Sequence, residues 1–345
     1  MDVSELLIFG TKQNASDVHL SAGEPPILRI HGELRKLEAE PLTKDDIHKM
    51  IYDVLNDRQR KVYEEKKELD FSMSLGEEYG RFRVNCFYQN RGEAAVFRTI
   101  PSKILTFEQL GLPRVCRKIS EYRKGLVLVT GPTGSGKSTT LAAMVDIINK
   151  ERKEHILTIE DPIEFVHLSQ NCLVNQRELN EHTHSFANAL RSALREDPDV
   201  ILVGEMRDIE TISLAITAAE TGHLVFATLH TSSAPKTIDR IIDVFPAGQQ
   251  AQIRAQFSES IQAVVSQRLF KKRDGTGRVA ALEIMIGTPA IRNLIREGKV
   301  SQIPSSIQTG QKFGMQTMEA ALKELVSRRV IDAEVVQGLL DEIAT

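Results

Sequence analysis

The sequence predicts an α/β protein, and three observations support this prediction. From residue 125 onward, apolar runs typical of buried strands alternate with helical patterns. A glycine-rich segment, GPTGSGKS at residues 131–138, stands between the first of these strands and the first helix. Residues 1–100 instead mix a short helical pattern with strands of alternating polarity, which indicates a separate, smaller α+β domain.

Composition and charge exclude several classes of protein. The 345 residues are 41% hydrophobic and 26% charged, with a formal net charge of −3. A charge so close to neutral gives no general attraction to nucleic acid, so we expect no nucleic-acid partner. No apolar run is long enough to span a bilayer, the N-terminus lacks a signal-peptide pattern, and the three cysteines are widely spaced. We therefore expect a cytoplasmic protein without a transmembrane segment.

Strands and helices can be placed from hydrophobic periodicity. In the first domain we predict two short strands within residues 28–37, joined by a His-Gly turn, and a long hairpin at 79–101 with its turn at Asn90–Gly92. Residues 101–112 are expected to link this domain to the second, at 113–345. There we predict strands at 125–130, 155–160, 199–204 and 223–230, with helices at 137–150, 185–195 and 208–221. After about residue 247 we predict a largely helical chain with one strand near 278–285, and a helical C-terminal part from about 286.

The segment GPTGSGKS matches the phosphate-binding pattern G-x-x-x-x-G-K-[ST]. Glycines let the backbone curl so that successive N–H groups face one anion, and the lysine reaches the β- and γ-phosphates. The hydroxyl of Ser138 is the expected Mg²⁺ ligand. The sequence therefore predicts that ATP and Mg²⁺ are the cofactors. The predicted nucleotide-binding residues are Gly131, Thr133, Gly134, Ser135, Gly136, Lys137, Ser138 and Thr139.

A phosphate loop needs an acid at the end of a neighbouring strand, and two strands supply candidates. The strand HILTIE ends at Glu160 and is followed by Glu164, and the strand DVILVG is followed by Glu205. Carboxylates in these places can hold Mg²⁺ or polarise water. The alternative is a helix cap or a solvated acid, which fits Asp208 because a helical pattern follows it.

Histidines and arginines provide further candidates, each with a simpler alternative. His223 and His230 flank the strand LVFATL. One interpretation is that they sense the γ-phosphate or link neighbouring sites. The alternative is that they are ordinary polar residues at strand ends. Arg81, Arg83 and Arg98 lie on the N-terminal hairpin. They either reach a phosphate, in the manner of arginine fingers from a neighbouring subunit, or they form a solvated strand face.

Four segments resemble those of a known family. GPTGSGKSTT, TIEDPIEFVH, RSALREDPDVILVGEMRD and TGHLVFATLHT are similar to the Walker A, Asp-box, Walker B and His-box segments of the secretion ATPase superfamily. Members of this superfamily power type IV pili and type II secretion. ASDVHLSAG (15–23), GRFRVN (80–85) and AIRNLIREGK (290–299) resemble segments of its pilus retraction subfamily.

The resemblance implies a fold, an assembly and a function. It implies a PAS-like domain at 1–100, a RecA-like ATPase domain at 113–345, and a homohexameric ring with nucleotide between subunits. ATP hydrolysis would then drive pilus retraction and twitching motility. Expected partners are an inner-membrane pilus platform protein and a paralogous retraction ATPase, and the expected location is the cytoplasmic side of the inner membrane, at the pilus base.

The resemblance also implies roles for individual residues. Glu205 would be the catalytic glutamate, and Glu160 and Glu164 the Asp-box acids. His223, His230 and the hairpin arginines would act on the nucleotide. Other functions remain open: an accessory retraction paralogue, a nucleotide-sensing scaffold without turnover, or a nucleic-acid translocase. Glu205 speaks against a pure sensor, and the near-neutral charge speaks against a translocase.

The segment AIRNLIREGK is predicted to form a short, capped helix. Thr288 suits the N-cap, Pro289 the first helical position and Gly298 the residue past the end. Ile291, Leu294 and Ile295 form one apolar stripe, while the like charges of Arg292 and Arg296 stand four residues apart on another face and suggest a partner. Since the resemblance associates this segment with retraction, we expect a coupling surface made of Arg292, Asn293, Arg296 and Glu297.

Overall fold

The computed structural model describes residues 2–30, 32–76, 78–100, 103–334 and 336. Within these residues the chain divides after Lys103 into two compact units. His31 of the expected His-Gly turn, residues 101 and 102 at the start of the expected linker, and residues 335 and 337–345 lie outside the described part of the chain.

The first unit is a six-stranded antiparallel sheet with three helices. The strand order is β3-β2-β1-β6-β5-β4. One apolar core contains the fully buried side chains of Leu7, Ile47, Tyr63, Phe82 and Phe97. This is the α+β domain that the sequence predicts. Its elements are α1 (Val3–Lys12), β1 (Asp17–Ser21), β2 (Ile27–Ile30), β3 (Glu33–Lys36), α2 (Lys44–Val54), α3 (Asp57–Lys66), β4 (Glu68–Ser74), β5 (Arg81–Gln89) and β6 (Gly92–Ile100).

The long hairpin of β5 and β6 follows the predicted alternation. Phe82, Val84 and Cys86 are buried on one face of β5, whereas Arg81 and Arg83 on the other face are half-exposed. The turn is shorter than predicted: only Asn90 and Arg91 form it, and Gly92 already begins β6 with φ +125°.

The second unit is built on a seven-stranded sheet in the order β13-β12-β7-β11-β10-β8-β9. All neighbouring strands are parallel except β12 and β13. Its elements as far as this sheet are α4 (Phe107–Leu110), α5 (Arg114–Ser120), β7 (Gly125–Thr130), α6 (Lys137–Glu151), β8 (His155–Glu160), β9 (Leu173–Glu178), α7 (Phe186–Ala193), β10 (Val200–Val203), α8 (Ile209–Glu220), β11 (Leu224–Leu229), α9 (Ala234–Asp243), α10 (Ala247–Ser260), β12 (Ile261–Lys271) and β13 (Arg278–Ile286).

Helices cover both faces of this sheet, as predicted for parallel strands. Leu126 and Leu128 of β7 belong to one core, which also contains side chains of α7, α8, α9 and α10. Val127 and Val129 point the other way, into a core with side chains of α5 and α6. Phe107 of α4, within the segment expected to be a linker, is buried in this second core.

Among the described strands, β1 and β4 of the first unit and β9 and β12 of the second were not predicted. The prediction of a largely helical chain after residue 247 with one strand is wrong, because β12 runs through the middle of that region as an inner strand between β7 and β13. α10 passes into β12 at Ser260 and Ile261 without a Gly or Pro that would mark the boundary. β9 was missed because it is a polar edge strand with few buried side chains.

The C-terminal part is helical from about residue 286, as predicted. It contains α11 (Pro289–Arg296), α12 (Ile303–Thr309) and α13 (Met318–Ser327), with single 3₁₀ turns at Val300–Gln302 and Gln311–Phe313. Met318 and Leu322 of α13 pack with Phe270 of β12 in a small core of their own. Among the described residues, no helix is both long and apolar enough to cross a membrane.

Candidate nucleotide site

Four parallel strands of the second unit end at the same edge of the sheet, and a polar segment follows each one. Thr130 of β7 pairs with Leu229 of β11, and Val203 of β10 pairs with Ile159 of β8. The glycine-rich loop, Glu160, Glu205 and His230 therefore leave the sheet at one edge. This is where open α/β sheets bind their ligands.

The glycine-rich loop has a backbone conformation that needs its glycines. Gly131, Gly134 and Gly136 have φ values of +143°, +76° and +86°. A Cβ added to Gly131 would lie 2.3 Å from the carbonyl oxygen of Gln267 on β12, so the loop is pressed against that strand. α6 begins at Lys137 without a capping side chain among the described residues. Free N–H groups at the positive end of a 15-residue helix favour a bound anion.

The side chains of the loop also fit a polyanionic ligand. Lys137 Nζ donates hydrogen bonds to the carbonyl oxygens of Gly131, at 2.8 Å, and Pro132, at 3.2 Å. Ser135 is buried, and its Oγ has no hydrogen-bond partner among the described atoms. Thr133 is exposed. The remaining hydroxyl groups, those of Ser138 and Thr139, lie half-exposed in the first turn of α6.

Lys137 also connects the loop electrostatically to two of the predicted acids. Burial lowers the pKa of Lys137, while the negative charges of Glu205 and Glu164 act in the opposite direction. Both carboxylates therefore lie close enough to influence the ammonium group. Glu164 itself is exposed, in the segment after β8.

Glu205 is held by an imidazole and a guanidinium group. His230 Nε2 lies 3.1 Å from Glu205 Oε1, and the Arg207 guanidinium donates to Glu205 Oε2 at 2.7 Å. Partial burial acts against ionisation, but Arg207 and His230 together lower the pKa of Glu205. The structure thus gives an ionised carboxylate at neutral pH, paired with the predicted histidine. Asp208 instead caps α8, through a 2.9 Å hydrogen bond from the Thr211 N–H.

Glu160 lies in a contrasting environment. Its Oε1 accepts hydrogen bonds from Thr158 Oγ1 at 2.6 Å and Gln176 Nε2 at 3.2 Å. Burial nevertheless raises the pKa of Glu160 to about 7, because these neutral donors offset only part of the desolvation. The pKa values of two carboxylates at one sheet edge are therefore shifted in opposite directions.

His223 is not brought to this edge within the chain. It precedes β11, and the next residue, Leu224, pairs with Gly125 at the start of β7. Its Nδ1 lies 2.9 Å from the carbonyl oxygen of Ala218 at the end of α8. A full strand length separates it from His230, so the two predicted histidines occupy opposite edges of the sheet.

The three hairpin arginines are bound within the N-terminal sheet. The Arg83 guanidinium pairs with the carboxylate of Asp70, and Arg98 Nε donates to the buried Asp17 at 2.8 Å. Arg81 donates to Ser72 Oγ at 2.6 Å. These contacts join neighbouring strands of the sheet.

The helix at AIRNLIREGK forms as predicted. Thr288 caps α11, Pro289 is its first residue, and Gly298 follows its end with φ +69°. Ile291 and Ile295 are fully buried, and Leu294 is partly buried.

Arg292 and Arg296 find acceptors within the chain. Arg292 donates to the carbonyl oxygens of Gly287, at 2.8 Å, and Glu259, at 2.9 Å. Arg296 forms an ion pair with the Glu259 side chain at the end of α10. The like charges of Arg292 and Arg296 are therefore balanced within the chain and do not by themselves indicate an outside partner. Asn293, Arg296 and Glu297 remain exposed, whereas Arg292 is half-buried.

Two residues of the site were not predicted from the sequence. Arg207 binds Glu205, and its place two residues beyond that acid was an available signal. Gln267 of β12 contacts the phosphate loop, and no local pattern points to it because strand β12 itself was missed.

A glycine-rich anion-binding loop at the end of a parallel strand, with an ionised strand-end carboxylate beside it, defines the P-loop nucleotide-binding class of proteins. Residues 3–337 match the family model described as type II/IV secretion system protein. The chain belongs to this family.

Several relatives and solved structures cover most of the chain, and three relatives and one structure serve as examples. It is 63% identical over 334 residues to the type IV pilus retraction ATPase PilT of Pseudomonas aeruginosa, spanning 97% of this chain and 96% of that protein. It is 60% identical to the twitching motility protein of Neisseria gonorrhoeae, spanning 90% and 82% of the two chains. Identity to the type IV pilus ATPase PilU of Pseudomonas aeruginosa is 39%, spanning 97% and 87%. A crystal structure of the pilus retraction motor PilT with bound ADP has a TM-score of 0.90 and 48% identity, over 97% of this chain and 95% of that one.

We expect the stability of the Glu160→Gln variant, relative to the wild type, to increase with pH. The folded protein keeps the Glu160 proton up to a pKa of about 7, whereas an unfolded chain releases it near its ordinary pKa of about 4.3. Raising the pH through this window therefore removes stability from the wild type and not from the amide variant. The melting temperature of the variant minus that of the wild type should therefore be more positive at about pH 8 than at about pH 5. Glu164→Gln, at an exposed site, is the control. The prediction is contradicted if the difference in melting temperature between Glu160→Gln and the wild type depends on pH no more than that of the control.

Proposed function

We propose that this chain is an ATPase motor that drives type IV pilus retraction and twitching motility. The observation that carries this proposal is the 63% identity, over 97% of the chain, to a protein named as a type IV pilus retraction ATPase. The strand-end residues support it, because a phosphate loop, a lysine and an ionised glutamate are what hydrolysis of a nucleoside triphosphate requires.

The loop residues have distinct roles in this proposal. The backbone N–H groups of the loop and of the first turn of α6 hold the phosphates, and Lys137 leaves its carbonyl contacts to pair with the terminal phosphates. Ser138 would hold Mg²⁺ through its hydroxyl. The ion, when bound with ATP, neutralises charge on the phosphate oxygens. Thr133, Ser135 and Thr139 line the phosphate chain on either side.

Glu205 orients and deprotonates the attacking water. The pKa of its carboxyl is lowered by Arg207 and His230 in spite of partial burial, so it is ionised and able to accept a proton. His230 holds it in place and is positioned to respond to the terminal phosphate. Glu160 and Glu164 supply two further acids at the same edge, with Glu160 able to change its protonation state near neutral pH.

Two alternatives are less well supported. An accessory paralogue is disfavoured because identity to PilU is 39%, against 63% to PilT from the same organism. A scaffold that only senses nucleotide is disfavoured because it has no use for an ionised glutamate beside the loop.

The assembly in this proposal is a homohexameric ring with the nucleotide between subunits. Arg81, Arg83 and Arg98 then act on the nucleotide of a neighbouring subunit, and His223 serves at the same kind of junction, since it does not reach the loop of its own chain. The ring works at the pilus base on the cytoplasmic side of the inner membrane. Its partners are the pilus platform protein and a paralogous retraction ATPase.

Lys137→Ala and Glu205→Gln should separate binding from hydrolysis. Lys137→Ala removes a phosphate-facing cation and should weaken ATP binding. Glu205→Gln should bind ATP almost normally but hydrolyse it about a hundredfold more slowly or worse, because the group that activates water is neutral. Affinity and steady-state turnover are the measurements, with the exposed Glu210→Gln as control. Near-normal turnover in Glu205→Gln would move the catalytic role to another acid.

Mixed rings should reveal whether the hairpin arginines act between subunits. Subunits carrying Arg83→Ala or Arg98→Ala should lose at least about tenfold in ATPase activity as pure rings. Mixed with Lys137→Ala subunits they should regain activity, since roughly a quarter of random interfaces then have two intact halves. No recovery in mass-verified mixed hexamers would contradict action between subunits.

The ion pairs of the sheet provide matched controls for that experiment. Asp70→Asn and Asp17→Asn remove the negative charge that pairs with Arg83 and Arg98 but keep the arginines. They should retain ATPase activity if the arginines act on nucleotide. Loss of activity equal to that of the arginine variants would instead assign the arginines to the stability of the sheet.

The exposed face of α11 should be needed for motility and not for hydrolysis. We expect Asn293→Ala with Arg296→Ala to give a hexamer whose ATPase rate stays within about twofold, since only exposed contacts are lost, while cells no longer twitch. Arg292→Ala is the contrasting variant and should lower the melting temperature, because Arg292 ties α11 to Gly287 and α10. The surface has no coupling role if twitching is unchanged, or if hydrolysis and motility fall together.

A further inference from the structure

Gln267 of β12 is a buried polar residue that contacts the phosphate loop from behind. Its residue exposure is 3%, and it lies on a strand that continues past Thr130, the last residue of β7. We propose that Gln267 is a positioning residue that sets the conformation of the phosphate loop for nucleotide, an inference that rests on the nucleotide-binding function proposed above.

The side-chain amide of Gln267 binds both sides of the junction between loop and helix. Its Nε2 donates to the carbonyl oxygen of Ser135 at 2.7 Å, on the loop. Its Oε1 accepts from Thr140 Oγ1 at 2.8 Å, in the first turn of α6. Ser135 and Thr140 are both buried, so neither contact can be replaced by water without rearrangement.

Two glycines let the loop approach this residue. A Cβ added to Gly131 would lie 2.3 Å from the Gln267 carbonyl oxygen, and one added to Gly136 would lie 2.8 Å from Gln267 Nε2. Both the backbone and the side chain of Gln267 therefore meet the loop at positions where only glycine fits. The requirement for these glycines comes from β12 as well as from the phosphate.

The hydrogen bond to Ser135 determines the direction of the next N–H group. A trans peptide is planar, and its C=O and N–H point in opposite directions. When Gln267 holds the Ser135 carbonyl toward β12, the N–H of Gly136 points away from β12. Successive N–H groups turned in this way are what binds an anion in such loops. Without the amide, the loop has to be reoriented each time nucleotide binds.

The test compares Gln267→Met with the wild-type protein in the presence of Mg²⁺. Methionine has a similar length and no strong hydrogen-bonding group. We expect the Kd for a fluorescent ADP analogue and the KM for ATP to rise about tenfold, as for the loss of one well-placed bond to a buried group. kcat should change less than KM, and the melting temperature without nucleotide should also fall, because two buried groups lose their hydrogen-bond partner. A residue with only a structural role would lower the melting temperature and leave Kd and KM unchanged.

The chain offers a matched control at the other end of the same strand. Gln262 Nε2 also donates to a backbone carbonyl, that of Lys124 just before β7, at 3.2 Å, far from the loop. Gln262→Met should leave Kd and KM unchanged. Weakening equal to that of Gln267→Met would overturn the proposal, because the effect would then belong to the strand in general.

Thr140→Val is the second variant, and its affinity for ADP tests the proposal if Gln267→Met does not fold. It removes only the hydroxyl that holds Gln267 Oε1, and should weaken ADP binding roughly threefold. Because Thr140 acts through Gln267, the double variant should bind no more weakly than Gln267→Met. Unchanged binding in Thr140→Val, or additive effects in the pair, would contradict the proposal. Wild-type protein that binds no ADP would instead refute the proposed function itself.

Discussion

The parallel register of β7, β8, β10 and β11 is the constraint on which the rest of the site depends. It places four strand ends at one edge, so that residues far apart in the chain, from Lys137 to His230, share one region. A slip of one residue would turn every side chain of a strand to the opposite face. The two apolar cores prevent this, because Leu126 and Val127 of β7 must face different sets of helices. Hydrophobic packing therefore sets the register of these strands, and with it the place of the site in the fold.

Within that frame, the environment gives chemically similar groups different properties. Arg207 and His230 outweigh partial burial and lower the pKa of Glu205, whereas burial dominates at Glu160 and raises its pKa to about 7. A pair of acids with such different environments suits a division between an ionised base and a group that gains or loses a proton near neutrality. Lys137 lies near Glu205 and Glu164 and is itself partly desolvated, so its charge is available to phosphates at little further cost in desolvation.

Charged residues that suggested function from their spacing have structural contacts as well. Arg98 neutralises Asp17, an acid that is only 4% exposed and could not remain there unpaired. Arg296 meets Glu259 on the surface, in a pair of the kind that contributes little to stability and is readily exchanged for a partner. Arg292 is different, because its contacts to backbone carbonyls fasten α11 in place. The spacing of Arg292 and Arg296 along α11 therefore could not show which of these two side chains is available to a partner.

The sequence by itself determined what depends on neighbours a few residues apart: the strand, loop and helix around residues 125–150, the caps at Asp208 and Thr288, the resemblance to a family, and the acids at strand ends. Only the tertiary structure decided which of these residues meet. It inserted β12 beside β7, brought Gln267 to a loop more than a hundred residues earlier, paired Glu205 with His230, and left His223 at the opposite edge. The physical reason is that caps, turns and periodicity arise from local backbone and side-chain contacts. Strand order is instead set by the burial of both faces of the sheet. Since α10 runs into β12 without a turn signal, no local pattern predicts that a strand begins there.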